Sequence, residues 1–289
     1  MLSRRLATAL VFIIPFLVGI LTQRPGNLVL AAMAAGCSVW GLSEYFNLAS
    51  RIGAKPPRSW IYLLCFVFPS LIYGRYAFGW PFERLPLWIA VGGFGILAAL
   101  VFRGEVKGSW VSFPVAFGGP VYILAPILLI QIFNQCEYGF WYIFFVFLTT
   151  WLSDTGAYFG GRAIGKRKLA PKISPGKTVE GLVSGALLSL LSILLVGGIQ
   201  MSLSETGRFF WTEGRAVDFL RLGLLNLGLV ATGNVGDLAE SMLKRDLGVK
   251  DSGSGLTGHG GFLDIMDSLL VNVPLLFVWA LLFEDLRLL

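Results

Sequence analysis

Long apolar runs constrain the fold of this chain more than any other feature of its sequence. Only 14% of its 289 residues are charged, whereas soluble domains carry about a quarter. A membrane-spanning helix needs about 20 predominantly apolar residues. We therefore predict an all-α, polytopic integral membrane protein with about nine transmembrane helices. The nine apolar runs lie near residues 6–22, 28–49, 60–74, 85–102, 111–133, 139–160, 179–199, 219–236 and 264–283.

Positive charges are distributed unevenly between these runs. If the N-terminus lies inside, 16 of the 23 Lys and Arg residues fall on the inner side, as the positive-inside rule requires. Arg4 and Arg5 precede the first run as in a signal peptide, but Leu21-Thr-Gln-Arg-Pro ends it without a small-residue cleavage site, so we interpret it as an anchor. The polar loops 161–178 and 237–263 then face the cytoplasm, where nucleotides are. We expect the lipid bilayer, and no nucleic acid, as the partner of this basic chain.

Three acids stand where apolar runs begin or end: Asp237, Asp264 and Asp267. A carboxylate at membrane depth costs a few kcal/mol and needs a partner, which makes it a candidate functional residue. Asp264 and Asp267 are three positions apart and share a helix face. Because hard divalent cations prefer oxygen ligands, we predict that the three acids bind a metal; the alternative for Asp264 is helix capping. The polar residues that share a predicted helix face with Asp237 are Glu240, Ser241 and Lys244.

The loop after the sixth run combines cations with a predicted tight turn. Ser174-Pro-Gly-Lys-Thr brings amides, hydroxyls and an ammonium together before the next helix, and a helix N-terminus with a nearby lysine is a ready anion site. The segment resembles the end of a Walker A loop, but Pro171 replaces its first glycine, so that fold is not implied. We predict that Lys172, Ser174 and Lys177 bind substrate. We interpret Lys166–Lys168 as a solvated run beside anionic lipid headgroups.

The loop before the last run is rich in glycine. Because glycine lets the backbone approach closely and a helix N-terminus follows, we predict that this loop binds an anion. His259 is a candidate general acid or phosphate donor, and the alternative is that it caps its own turn. Lys250 and Asp251 are interpreted either as substrate contacts or as a surface pair. The glycines are Gly253, Gly255, Gly258, Gly260 and Gly261.

Two further acids lie inside apolar runs. Asp154 stands in Trp151-Leu-Ser-Asp-Thr-Gly, where an unpaired carboxylate would be expensive. Glu44, in the second run, is interpreted as a packing or helix-pairing residue.

Long motifs in the C-terminal half resemble those of the phosphatidate cytidylyltransferases. The resemblance is dense over about 151–182 and 234–274, whereas the N-terminal half is similar only in its hydrophobic spans. The motifs are Asp154-Thr-Gly-Ala-Tyr-Phe, Gly165-Lys-Arg-Lys-Leu-Ala-Pro-Lys-Ile-Ser-Pro-Gly-Lys-Thr-Val-Glu-Gly, Gly236-Asp-Leu-Ala-Glu-Ser, Ser241-Met-Leu-Lys-Arg, Lys250-Asp-Ser-Gly, His259-Gly-Gly-Phe-Leu-Asp and Asp267-Ser.

The resemblance implies a reaction, a cofactor and an assembly. Such an enzyme makes CDP-diacylglycerol and pyrophosphate from CTP and phosphatidate with Mg²⁺, in an all-helical fold similar to a dimer of nine-span protomers. It implies a bacterial inner membrane with the active site facing the cytoplasm, and a division into N-terminal helices, 1–135, and a catalytic region, 136–289. The resemblance implies Asp237, Asp264 and Asp267 as metal ligands, Lys250, Asp251 and His259 as catalytic residues, and Lys172, Ser174, Lys177, Ser241, Lys244 and Arg245 as substrate-binding residues.

Two departures from the family pattern leave alternatives open. Thr257 stands where the family usually has Pro, and Ile265 where it has Arg between the last two aspartates. We expect an active enzyme, with an inactive paralogue as the alternative. A related CTP-dependent enzyme acting on a polyprenol or an archaeal ether lipid is another alternative, and an ion-coupled transporter is a third, because buried acids at broken helices also build ion sites.

Overall fold

The computed structural model describes residues 27–203, 208–253 and 260–283, together with Gly19. A 3₁₀ turn, Phe82–Arg84, precedes the third helix, and a π-helical turn, Pro120–Leu124, joins the fourth to the fifth. The helices are α1 Leu28–Ser50, α2 Arg58–Phe78, α3 Leu85–Phe102, α4 Ser109–Gly119, α5 Ala125–Phe133, α6 Gly139–Ile164, α7 Val179–Leu203, α8 Ala216–Asp246 and α9 Phe262–Phe283. Two short strands, β1 Lys168–Ala170 and β2 Ser174–Thr178, lie between α6 and α7.

Within the described ranges, seven segments are long and apolar enough to cross a membrane. They are α1, α2, α3, the continuous stretch Ser109–Phe133, α7, α8 and α9. The prediction of an all-α, polytopic membrane protein is therefore confirmed. Helix α6 coincides with the predicted run 139–160, but the polar residues around Asp154 make it less apolar than those seven. Apart from Gly19, the predicted run 6–22 lies outside the described residues, so the count of nine stays a prediction.

Local chemistry determines where the first helices begin and end. The side chain of Asn27 accepts a hydrogen bond from the N–H of Leu30, 3.1 Å away, and so satisfies one of the amides that a helix N-terminus leaves unpaired. Helix α2 ends at Gly79, whose φ of 71° is left-handed and whose N–H returns to the carbonyl of Arg75. Glycine takes this conformation without the steric penalty of a Cβ atom.

The described residues fall into two compact units. The first contains α1 to α5 together with Asp246–Met266, and the second contains Cys136–Arg245 and the chain from Asp267 onward. The segment before α9 and its first turn therefore belong with the N-terminal helices. The functional division at residue 135 stays a prediction.

In the second unit, small residues let α6 and α7 pack backbone against backbone. A Cβ atom added to Gly156 of α6 would lie 2.9 Å from the Cα of Gly185 in α7. One added to Gly181 of α7 would lie 2.7 Å from the carbonyl oxygen of Ala157. Small residues spaced four apart are a recurrent means of close helix association in membranes. This contact determines where β2, directly before α7, lies relative to α6.

A buried polar network joins three helices of the same unit. The amide of Asn272 in α9, 1% exposed, donates to the hydroxyl of Thr150 in α6 over 2.8 Å and accepts from the hydroxyl of Thr232 in α8 over 2.7 Å. The hydroxyl of Ser268 in α9 donates to the carbonyl of Gly233, 3.1 Å away. Because unsatisfied polar groups are costly in an apolar interior, this network fixes the register of α6, α8 and α9.

We predict that Gly181→Leu destabilises the protein and that Gly198→Leu, on the same helix, does not. The leucine at 181 would meet the backbone of α6, which cannot give way as a side chain can, whereas a Cβ at Gly198 meets nothing within 4 Å. Overpacking costs about 1–3 kcal/mol, so the midpoint of thermal unfolding of the detergent-solubilised protein should fall clearly for Gly181→Leu. Equal midpoints for the two variants would contradict the close packing of α6 on α7.

Candidate active site

The segment predicted as a tight turn is a strand. Residues Ser174–Thr178 form β2, which pairs antiparallel with β1, so that Ala170 lies opposite Ser174. The expectation of a turn over these residues is wrong, because the chain reverses one step earlier, over residues 171–173. The segment does lead into a helix as predicted: the hydroxyl of Thr178 accepts the N–H of Gly181, 3.1 Å away, in the first turn of α7.

Glu180 anchors the other end of this hairpin. Its carboxylate accepts the backbone N–H groups of Lys166 and Arg167 at 2.9 and 3.0 Å. Hydrogen bonds from backbone N–H groups to a carboxylate are stronger than hydrogen bonds between neutral groups, so these two restrain the hairpin. Lys177 therefore lies on a strand whose position is restrained.

Lys177 and Asp237 form the central ion pair of the candidate site. The Lys177 ammonium lies 2.7 Å from Oδ2 of Asp237 and 3.2 Å from the side-chain oxygen of Asn234. The hydroxyl of Ser241 donates to Oδ1 of Asp237 over 3.3 Å. The structure thus brings together two substrate-binding candidates, Lys177 and Ser241, and one metal-ligand candidate, Asp237. Asn234, one turn before Asp237, was not among the predicted site residues.

Two more carboxylates lie within electrostatic range of this pair. Asp154 of α6 and Asp267 of α9 are both repelled by Asp237, and Lys177 attracts Asp154. Helix α9 approaches α8 closely here, since a Cβ atom on Gly236 would lie 2.6 Å from the carbonyl oxygen of Asp267. One cation therefore lies among three carboxylates from three helices, and it interacts with two of them, Asp237 and Asp154. We call Asp154, Lys177, Asp237 and Asp267 the acid–lysine cluster.

The acid–lysine cluster has the donor chemistry that a divalent cation requires. Carboxylate oxygens are hard ligands, and an excess of negative charge away from bulk water favours a bound cation. Among the described residues, no group of three or more His, Cys, Asp or Glu side chains has geometry that would hold a metal ion as it stands. The metal-binding role of Asp237 and Asp267 stays a prediction.

Asp264 contacts a different set of groups. Its Oδ2 accepts the N–H and the hydroxyl of Ser252, each at 2.9 Å, and the N–H of Gly261 at 2.7 Å. These contacts satisfy backbone amides at the start of α9, which is the alternative that the sequence left open for Asp264. Its role as a metal ligand stays a prediction.

Glu44 is the residue whose surroundings the sequence did not reveal. It is 6% exposed, and its carboxylate accepts hydrogen bonds from the hydroxyl of Ser252 at 3.1 Å and from the N–H groups of Phe262 and Leu263 at 2.9 and 3.0 Å. A lone acid in an apolar run was the only signal for it. Its partners lie more than 200 positions along the chain, a distance that no local pattern encodes.

The glycines of this loop approach carboxylates of the protein itself. A Cβ atom on Gly253 would lie 2.8 Å from Oε1 of Glu44, and one on Gly260, whose φ is 82°, would lie 2.5 Å from Oδ2 of Asp264. At these two positions the backbone lies close to the protein's own carboxylates, Glu44 and Asp264, and binding of a substrate anion by this loop stays a prediction. Gly255, Gly258 and His259 lie outside the described residues, so the roles proposed for them stay predictions.

Most of the remaining predicted site residues are exposed, whereas the side chain of Lys244 is largely buried. Lys244 forms an ion pair with Glu240, one turn earlier on α8. Ser174 is half-buried in β2. The exposed residues are Lys172, Arg245, Lys250 and Asp251.

These elements define a polytopic membrane protein in which charged side chains from α6, β2, α8 and α9 converge in one cluster. The model of the cytidylyltransferase family matches residues 3–283, and the chain belongs to that family. It is similar to a phosphatidate cytidylyltransferase of Haemophilus influenzae, with 33% identity over 95% of this chain and 96% of the relative.

Two further relatives match over shorter lengths. A phosphatidate cytidylyltransferase of Bacillus subtilis is 38% identical over 66% of this chain and 67% of its own length. The uncharacterised protein YnbB of Escherichia coli is 31% identical over 87% of this chain and 83% of its own length. The predicted family resemblance is confirmed.

We predict opposite effects on stability for two members of the acid–lysine cluster. Lys177→Met should lower the midpoint of thermal unfolding, because it removes the cation that pairs with Asp237 and attracts Asp154. Asp267→Asn should leave the midpoint unchanged or raise it, because it relieves repulsion from Asp237. Lys166→Met, an exposed lysine of the same loop, serves as the control. A midpoint lowered by Asp267→Asn but not by Lys177→Met would contradict the proposed excess of negative charge.

Proposed function

We propose that this chain transfers the cytidylyl group of CTP to phosphatidate, giving CDP-diacylglycerol and pyrophosphate, with Mg²⁺. The observation that carries the proposal is the acid–lysine cluster on α6, β2, α8 and α9, in a chain of the cytidylyltransferase family. Relatives from two bacteria, of which one aligns over almost its whole length, have this activity in their names.

The reaction needs charge neutralisation more than proton transfer. The phosphate oxygen of phosphatidate is already anionic and needs no strong base. It forms a new bond to the α-phosphorus of CTP, while the bond from that phosphorus to the bridging oxygen breaks and its electron pair leaves with pyrophosphate. Catalysis of such a transfer is mainly positioning and electrostatic stabilisation.

The acid–lysine cluster contains groups suited to both tasks. Lys177 supplies a half-buried ammonium that can bind a phosphate oxygen, and Asn234 and Asp237 fix its position from α8. Asp237 and Asp267 would hold Mg²⁺, with Asp264 as the third ligand implied by the family resemblance. When bound, the ion would neutralise charge on the triphosphate and on leaving pyrophosphate.

We also propose where the reaction takes place and how the protein assembles. The chain is an integral membrane protein with bacterial relatives. The Lys and Arg distribution supports a cytoplasmic active site, in the bacterial inner membrane. A homodimer is supported by the family resemblance.

The acceptor lipid needs a direct test, because the similar proteins are not all named as phosphatidate cytidylyltransferases. One relative of similar identity is an uncharacterised protein. Purified protein should be given CTP with phosphatidate, polyprenyl phosphate or an archaeal ether-lipid phosphate. We expect CDP-lipid and pyrophosphate with phosphatidate only. Transfer to another acceptor alone would replace phosphatidate in the proposal, and no CTP turnover with any acceptor would overturn the proposed activity.

We predict that Asp237→Asn and Asp267→Asn greatly lower turnover while the protein still inserts into the membrane. Loss of an interaction with a charged group costs about 1.5–3 kcal/mol, which corresponds to about one to two decades in rate. Asp246→Asn, an exposed acid at the end of α8, is the matched control. Near-normal rates with an unchanged Mg²⁺ requirement in both site variants would remove these acids from the metal site.

We also predict that the native chain is active despite Ile265. This side chain is 43% exposed on α9, and a helix rotates about 100° per residue, so position 265 points away from the face that Asp264 and Asp267 share. Ile265→Arg should therefore give an equal or higher rate. Activity that appeared only in the Ile265→Arg variant would instead identify the native chain as an inactive paralogue.

A further inference from the structure

Glu44 stands out among the acids that the proposed chemistry does not use. It lies six residues before the end of α1, in the first unit, and is 6% exposed. Both of its oxygens are engaged. Oε1 accepts the indole N–H of Trp40 at 2.8 Å and the N–H of Phe262 at 2.9 Å, and Oε2 accepts the hydroxyl of Ser252 at 3.1 Å and the N–H of Leu263 at 3.0 Å.

These donors come from three separate parts of the chain. Trp40 is one turn earlier on α1, Ser252 follows α8, and Phe262 and Leu263 are the first residues of α9. The first amides of a helix have no partner within the helix and carry its partial positive charge, so a carboxylate placed against them is strongly held. Glu44 therefore fixes the start of α9 against α1.

Two glycines, Gly253 and Gly261, leave room for the Glu44 carboxylate and for the backbone that surrounds it. A Cβ on Gly253 would lie 2.8 Å from Oε1, and one on Gly261 would lie 2.7 Å from the backbone nitrogen of Gly253. A side chain at either position would displace the carboxylate or the backbone that binds it.

Ser252 links Glu44 to a predicted site residue. Its hydroxyl lies 3.1 Å from Oε2 of Glu44 and 2.9 Å from Oδ2 of Asp264. The two carboxylates share the single proton that this hydroxyl can donate, so the position of Ser252 depends on both of them. A change at Glu44 is therefore transmitted to Asp264 through Ser252 and through the first turn of α9.

We propose that Glu44 is a positioning residue for cytidylyl transfer, which places the start of α9 and the Asp264 carboxylate on it. This inference rests on the proposed function. It gives a distant residue of the N-terminal half a role in the reaction without contact to substrate.

The first test is the effect of Glu44→Gln on steady-state kinetics. Glutamine keeps the size of the side chain but replaces one acceptor oxygen by an amide donor, which would face backbone or hydroxyl donors. Because small misplacements of a catalytic group cost rate rather than binding, we expect kcat to fall roughly ten- to a hundred-fold and KM for CTP to change less than about threefold. Glu105→Gln, an exposed acid of the same unit that pairs with Lys55, should match the wild type.

The second test perturbs the same contact from the other side. Gly253→Ala places a methyl group against Oε1 of Glu44 and should lower kcat in the same way. If both changes act through one contact, the double variant Glu44→Gln/Gly253→Ala should be no more than slightly worse than the poorer single variant. Multiplied losses in the double variant, or a normal kcat in Glu44→Gln, would overturn the proposal.

Amide hydrogen exchange separates failure of this inference from failure of the proposed function. Glu44→Gln should speed exchange at Phe262 and Leu263 while the interior of α9 stays protected. If the wild-type protein transfers no cytidylyl group, both the activity and the positioning role are lost, and faster exchange at Phe262 would then show that Glu44 is purely structural. If the wild type is active and Glu44→Gln changes neither exchange nor kcat, the inference alone fails.

Discussion

A carboxylate in a mostly apolar chain must be neutralised, and this protein does so in two different ways. Glu44 is saturated by four donors, two of them backbone amides. In the acid–lysine cluster, Lys177 pairs with Asp237 and attracts Asp154, whereas Asp237 repels Asp267. A saturated carboxylate stabilises structure, whereas an excess of negative charge costs stability and favours a cation. This difference separates the part of the molecule that holds α9 in place from the part that we propose binds metal and CTP.

Both arrangements depend on glycine at positions where backbones meet. Gly236 lets α9 bring Asp267 close to α8, and Gly181 lets α7 lie against α6. Gly253 leaves room for the Glu44 carboxylate. In a membrane, helices gain little from further burial of apolar side chains, so close backbone contact and polar pairing supply much of the specificity. The Asn272 network supplies such pairing for the three helices that carry Asp154, Asp237 and Asp267.

The proposed chemistry is consistent with this distribution of charge. The substrates are polyanions, and the transferred group needs neutralisation and orientation more than a base. A lysine held by Asp237 and Asn234 is restrained before substrate binds, so less conformational freedom is lost on binding. Its partners come from helices whose register is fixed by buried polar contacts. Stability lost to repulsion among carboxylates is a common consequence of building an active site.

The sequence by itself determined the class of fold and the family, because apolar runs and long local motifs are properties of neighbouring residues. It also predicted Lys177, Asp237 and Asp267 as site residues, and the structure brings these three together in one cluster. The nine-span count, cytoplasmic orientation, magnesium and dimer stay predictions. Only the tertiary structure decided that Ser174–Thr178 is a strand, that Asp154 joins the cluster and that Glu44 holds the start of α9. The strand forms by pairing with β1 only a few residues earlier, which the turn residues Pro175 and Gly176 concealed. The other two depend on partners distant in sequence, and hydrophobic periodicity does not show which buried acid meets which distant group.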